Sequence, residues 1–190
     1  MSRRKPRGMY VSEMALREHF DPCNYPKKTY LLCKLQWANS GTFWIHWVRN
    51  DNDKDNDNDN DSHAEEYFLE EVFELRSSSI CYITWYLSWS PCMTCCYIIR
   101  NFLARHPNVN IEIHVARLYK TRWAGTRRGL RELARLRGRV TIDVMEIKDY
   151  RYCWKTFTQK GDDNFLPVNF QPAINRNRQM LKNILKGLHL

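Results

Sequence analysis

The sequence predicts an α/β domain, built on a mixed five-stranded sheet with about six helices around it. Three observations predict it. Two strand-like segments flank Asn39-Ser40-Gly41, the arrangement of an antiparallel hairpin. Beyond residue 80, short apolar runs alternate with segments of helical spacing, which implies a parallel portion joined by crossover helices. A length of 190 residues suits one domain with a sizeable core. The expected organisation is a basic arm over residues 1–19 and one domain over 20–190, interrupted by an acidic insert at 51–61.

Taken in order, Arg3, Arg4, Lys5 and Arg7 give the arm its charge, suited to nuclear import, to phosphate contact or simply to solvation. Residues 20–28 carry Pro22 and Pro26 and read as loop. Tyr30 to Trp37 reads as the first strand and Thr42 to Arg49 as its partner. The insert alternates Asp and Asn. Its Asp51, Asp53, Asp55, Asp57 and Asp59 have the offsets of a calcium loop. Yet Asn56 stands where that loop needs glycine and Ser62 where it needs glutamate, so a solvated low-complexity insert is preferred. Ala64, Phe68, Val72 and Leu75 recur at helical spacing.

Ile80 to Leu87 has the near-continuous apolar character of a strand buried on both faces. Ser90-Pro91 suits the N-cap and first position of a helix running to about Arg105. There follow a strand over Val109 to Ala116, a helix over Gly129 to Arg137 and a strand over Val140 to Glu146. Two more helices are expected, from Asp149 to Phe157 with Tyr152, Cys153 and Trp154 in the core, and from Pro172 to Leu188.

Charge narrows the function. The formal net charge is +9, and residues 51–61 carry −5 of their own, so the remainder carries +14. With 13% aromatic residues, that composition suits a polyanion whose bases can stack, although a solvated basic surface is the alternative. Seven cysteines without a secretory signal point to a reducing compartment, where thiols bind metal. No uninterrupted apolar run is long enough for a bilayer, so no membrane association is expected.

The chemistry is carried by His63-Ala64-Glu65 and Pro91-Cys92-Met93-Thr94-Cys95. Cys92 and Cys95 are i and i+3 near a helix start, so both sulfurs leave one side. One imidazole and two thiolates suit zinc and leave its fourth tetrahedral position open, where a water can be bound and ionised. Taken singly, each residue has another reading. Ser62-x-x-Glu65 is also a capping box, Cys92-x-x-Cys95 also a redox pair, and a lone histidine is more often structural.

The combination H-x-E with P-C-x-x-C resembles the AID/APOBEC family of zinc-dependent polynucleotide cytidine deaminases. Ser88-Trp89-Ser90-Pro91-Cys92, Ala116-Arg117-Leu118-Tyr119, Gly129-Leu130-Arg131, Asp149-Tyr150 and Cys153-Trp154 extend the likeness over roughly residues 20–160. Phe20-Asp21-Pro22, Leu31-Leu32 and Arg105-His106-Pro107 resemble most the apolipoprotein B messenger-RNA editing branch, with activation-induced deaminase close.

The resemblance implies the cytidine-deaminase-like fold and one catalytic Zn2+ on His63, Cys92 and Cys95, with Glu65 as proton shuttle. It implies substrate contacts from Lys27, Thr29, Asn50, Ala64, Ser88, Trp89, Arg117 and Tyr119. Of these, Lys27 and Thr29 belong to a loop at the rim, together with Lys28. By the same resemblance Asn50 would fix the sugar, Trp89 and Tyr119 would line the base pocket, and Arg117 would either support that pocket or contact phosphate. Leu118 to Trp123 is read as the segment that senses the neighbouring nucleotide, and the arginines from Arg127 to Arg139 as a basic face or a solvated one.

The expected function is deamination of cytosine to uracil in single-stranded DNA and possibly RNA. An editing cofactor protein and homo-oligomerisation are possible partners. Leu181, Ile184, Leu185, Leu188 and Leu190 read as a packed helix face or as an export signal, which would fit shuttling between nucleus and cytoplasm. Two rivals stand: a binding module whose structural zinc takes Cys96 as fourth ligand, and a deaminase of free nucleosides.

Overall fold

The computed structural model describes residues 7–50, 62–75, 78–162 and 164–188. In chain order the elements are β1 (Arg7–Gly8), α1 (Glu13–Phe20), β2 (Tyr30–Trp37), β3 (Trp44–Arg49), α2 (Ala64–Tyr67), β4 (Cys81–Leu87), α3 (Met93–Arg105), β5 (Val109–Val115), α4 (Ala124–Ala134), β6 (Val140–Val144), α5 (Ile147–Phe157) and α6 (Phe170–Leu185). A π-helical turn, Phe68–Val72, continues α2. The strand order is β1-β3-β2-β4-β5-β6. The five expected strands are all present, and a two-residue strand, β1, joins the edge by pairing parallel to β3.

The register follows from the patterning. β2 lies antiparallel to β3 and to β4, with Leu31 opposite Leu87 and Trp37 opposite Cys81. β4, β5 and β6 are parallel, with Cys81 beside Val109 and Ile111 beside Val140. The crossovers are α3 and α4, so both C-terminal strand ends, Leu87 and Val115, open on the same rim of the sheet. In open α/β sheets that rim is where ligands bind. Leu31, Leu32, Ile83, Trp85, Ile111 and Ile113 are buried in the core around the central strands.

Besides shifts of two or three residues at β3, β6, α5 and α6, four boundaries differ from the sequence expectation for a physical reason. Residues 7–20 are not a free arm. Ser12 caps α1 by accepting the Ala15 N–H, and Leu16 and Phe20 are buried behind it. The expected basic cluster at residues 3–5 and the calcium-loop reading of 51–61 lie outside the described residues.

The second difference is at α3, which begins at Met93, with Cys92 rather than Ser90 as N-cap. The Cys92 Sγ accepts the Cys95 N–H at 3.4 Å, while the Ser90 hydroxyl accepts the Tyr119 N–H at 2.9 Å. The Cys92 sulfur fills the role of a capping oxygen.

The third is α4, which spans Ala124–Ala134 instead of starting at Gly129. Gly129 looks like a boundary in sequence but is a contact point. A Cβ there would lie 3.2 Å from the Cys96 Cβ, so glycine lets α4 close on α3. The last is α2, which is a short helix capped by His63 and finished by the π turn, so Ser62 is not its cap. Phe68 in that turn packs edge-on to Trp85 at 5.6 Å and seats α2 on the sheet.

Candidate active site

His63, Cys92 and Cys95 meet where α2 and α3 begin. The His63 Nδ1 is 3.1 Å from the Cys95 Sγ and 3.4 Å from the Cys92 Sγ, and the three ligand atoms all lie within 4.8 Å of one another. Tetrahedral zinc with bonds of about 2.0–2.3 Å sets its donors about 3.5 Å apart, so this donor set fits the ion in both chemistry and spacing. Cys96 does not join it. Its buried thiol points to the Pro91 carbonyl at 3.9 Å and packs against Gly129. The fourth-ligand reading of Cys96 therefore fails.

Electrostatics favour ionised sulfur at Cys92. A hydrogen bond from the Cys95 thiol, helped by His63 and the Cys95 N–H, lowers Cys92 to about 4 against the opposing effect of burial. The same bond and burial raise Cys95, so the first proton to leave the pair comes from Cys92. His63 is raised by its hydrogen bond to Cys92. Two helix N-termini add positive potential in the same place.

Glu65 is the remaining element of this cluster, and it is only 3% exposed. Burial, aided by the charge on Cys92, pushes its carboxyl up to about 7 against its own backbone hydrogen bond, His63 and Cys95. With His63 as N-cap and Glu65 turned inward, the capping-box reading of Ser62-x-x-Glu65 does not hold.

Around the cluster stand the other expected residues. Trp89 donates its indole N–H to the Pro26 carbonyl at 2.9 Å and meets Tyr119 edge-on at 6.3 Å. Asn50 clamps the rim: its Oδ1 accepts the Thr29 N–H at 2.8 Å and its own N–H donates to the Thr29 carbonyl at 3.1 Å. Lys27 is exposed in the same loop. Ala64 is buried as part of the core. Ser88 is fully buried, and its hydroxyl accepts the Tyr30 N–H at 2.8 Å, so its side chain locks β2 to the end of β4.

Arg117 settles one of the two open readings. It is 2% exposed, and its guanidinium donates to the carbonyls of His19, Asp21 and Asn24 while lying 4.5 Å from the Trp89 ring centre. It is a strut under the aromatic wall, not a phosphate contact.

The arginines after it divide similarly. Arg139 holds the carbonyls of Leu103, His106 and Val109, Arg128 pairs with Glu132, and Arg131 reaches the Ile184 carbonyl. Arg128, Arg135 and Arg137 are exposed, so both readings of this segment, a basic face or a solvated one, remain with them. Leu181 and Ile184 are buried, as a packed C-terminal helix requires.

Sequence reasoning missed Tyr25. It is 73% exposed and 6.1 Å from Trp89, extending the aromatic surface outward. Its one sequence signal was an aromatic residue set next to Pro26 in a loop that has no periodicity.

The comparisons agree with this geometry. A family model described as APOBEC4-like AID/APOBEC deaminase matches residues 19–160. The chain belongs to the AID/APOBEC deaminase family. Its α/β architecture is the cytidine-deaminase-like fold of that family. Among curated AID/APOBEC relatives, the C->U-editing enzyme APOBEC-1 of Mus musculus is 37% identical over 153 residues, covering 79% of this chain and 60% of the relative. That of Monodelphis domestica is also 37% identical over 153 residues, covering 78% and 60%. The DNA dC->dU-editing enzyme APOBEC-3G of Lagothrix lagotricha is 38% identical over 113 residues, covering 58% of this chain and 29% of the relative. The chain thus spans about 60% of the length of the APOBEC-1 relatives it matches.

Proposed function

We propose that this chain hydrolyses cytosine to uracil in single-stranded polynucleotides, with water replacing the C4 amino group, which leaves as ammonia. One observation carries the reading: a buried carboxyl, that of Glu65, beside two cysteines and a histidine spaced for zinc. Held by His63, Cys92 and Cys95, zinc would supply the Lewis acidity that ionises water near neutral pH. The chain's own residues do the rest. Glu65 takes the proton from water and gives it to cytosine N3, then passes a proton to the departing amine. A carboxyl whose pKa burial raises towards neutral can serve in both directions.

Trp89 and Tyr119 offer ring faces to the base, and base stacking on an aromatic is worth about 1–3 kcal/mol. Asn50 and Thr29 fix the rim against the backbone, and Lys27 brings positive charge to it. In a duplex C4 is hidden within the stack, so a single strand is the substrate that can enter. Curated relatives named for C->U editing and for DNA dC->dU editing support polynucleotide over free nucleoside as substrate.

The test is uracil formation on matched DNA and RNA single strands, with Glu65→Ala beside wild type. General acid–base catalysis contributes about 10²–10⁴-fold, so turnover should fall by at least that while zinc content stays near one per chain. A Glu65→Ala protein that forms uracil at the wild-type rate would refute the assignment. Activity on RNA alone would narrow the proposal to RNA editing.

A further inference from the structure

We infer that Arg127 is a positioning residue that fixes the loop reading the nucleotide beside the target cytosine. This rests on the function proposed above and specifies one part of it. The loop is residues 118–123, between β5 and α4. It closes as a turn in which the Trp123 N–H donates to the Lys120 carbonyl at 3.0 Å. Lys120 enters that turn with φ at 40°, in the left-handed region that a lysine does not favour. Its ammonium lies 4.4 Å from the Trp123 ring centre and 5.2 Å from that of Tyr119. Tyr119, Lys120 and Trp123 are therefore one cation–aromatic unit, and Trp123 is 63% exposed. A surface so placed can stack on a base next to the one in the pocket.

Something must hold a turn built on an unfavourable lysine conformation. Arg127, in the first turns of α4, reaches back and donates from one nitrogen to the carbonyls of Thr121 at 2.9 Å and Arg122 at 2.7 Å. These are the two central residues of the turn. The guanidinium is thereby turned towards backbone oxygens of its own chain. Arg128 and Arg131 on the same helix reach Glu132 and the Ile184 carbonyl instead, so Arg127 is the α4 arginine whose hydrogen bonds go to this loop. Without it the two carbonyls lose a charged donor and the loop exchanges among orientations. Tyr119 and Trp123 then meet the neighbouring base in several poses. Discrimination among neighbours falls, while Glu65 and the cysteine cluster, held by α2 and α3, keep their places.

The experiment uses the full chain with Arg127→Ala and Arg127→Lys. Amide hydrogen exchange across residues 118–124 reads the loop directly, whatever the activity. Turnover and binding are measured on four single-stranded oligonucleotides that differ only in the nucleotide 5′ of the cytosine. Each charged hydrogen bond is worth about tenfold or more and two share one donor nitrogen here, so Arg127→Ala should speed loop exchange by at least about tenfold and shrink the spread in kcat/KM among neighbours by a similar factor, chiefly through KM. Arg127→Lys, which keeps a charged donor, should fall between.

Unchanged loop exchange would overturn the inference. So would faster exchange with the neighbour spread intact, or an equal fall in kcat on all four strands. Should wild type form no uracil on any strand, the proposed function fails by itself. The spread in oligonucleotide dissociation constants, wild type against Arg127→Ala, then judges Arg127.

Discussion

Replacing Arg117 by alanine should destabilise the fold by about 3 kcal/mol, and the figure can be built from its contacts. The guanidinium donates to three main-chain carbonyls, those of His19, Asp21 and Asn24. A hydrogen bond to a charged group contributes about 1.5–3 kcal/mol, so three would give roughly 5–9. Burial pushes the Arg117 pKa down to about 10, still far above neutral, so the group keeps its charge and these bonds at pH 7. Water reaching the freed carbonyls recovers part of their loss, and a net loss of about 3 kcal/mol should lower Tm by about 6–12 °C in a domain of this size.

The assay is urea unfolding at neutral pH, with Arg117→Lys beside Arg117→Ala. Lysine keeps the charge but not the planar fork, so it should recover less than half of the loss. The salt dependence of oligonucleotide binding supplies an independent reading. A strut leaves the slope of log K against log salt unchanged, whereas a phosphate contact on a single strand carries about 0.7 of that slope. Arg117→Ala with stability within about 0.5 kcal/mol of wild type and a slope reduced by that amount would refute the strut.

Three further outcomes are expected. Cys92→Ser should lose bound zinc and stability together, while Cys96→Ser should keep full metal content, as elemental analysis after exhaustive dialysis will show; equal metal loss in both would restore Cys96 as a ligand. His19 is buried against Tyr30 at 4.3 Å, and burial, with smaller effects of Arg117, Lys28 and Arg49 opposing Glu18, lowers its pKa below the ordinary 6.5. The unfolded chain therefore binds the proton first, so stability should decline as pH falls below 6.5, and His19→Phe should flatten that decline in urea midpoints taken from pH 7 to 5. Gly125→Ala should stabilise by up to about 1 kcal/mol, because the Cβ meets only the movable thioether of exposed Met93, whereas Gly129→Ala, facing buried Cys96, should bring no gain in thermal unfolding.

The fold was legible where periodicity speaks. Tyr30–Trp37 has the expected bounds, and β4, β5 and β6 end within two residues of theirs, because apolar runs between breakers mark strands without help from the rest of the chain. The metal cluster was legible for a different reason. Three ligating side chains in two short motifs need only two helix starts to bring them together, and both starts had local signals. What sequence could not give was decided by distant partners. Ser90 has the composition of an N-cap, yet its hydroxyl serves Tyr119, 29 residues on, and leaves the capping to Cys92. Gly129 has the composition of a boundary, yet its missing side chain is what lets α4 approach Cys96.

The arginines make the same argument about function. A net surplus of positive charge suggests a polyanion, but charge alone does not say which cations face it. Arg117 and Arg139 each hold three carbonyls of their own chain, and Arg127 holds two. Guanidinium is suited to this use because its fork satisfies several acceptors at once and stays charged when buried. Arg117 and Arg127 therefore shape loops on the rim that carries Trp89 and Tyr119, Arg139 ties the end of α3 to the start of β5 on the opposite rim, and exposed side chains such as Lys27 and Arg122 leave their charge to solvent. Substituting the first group should change folding, order and selectivity, and substituting the second should change salt dependence. That division separates residues that build the cleft from residues that attract what enters it.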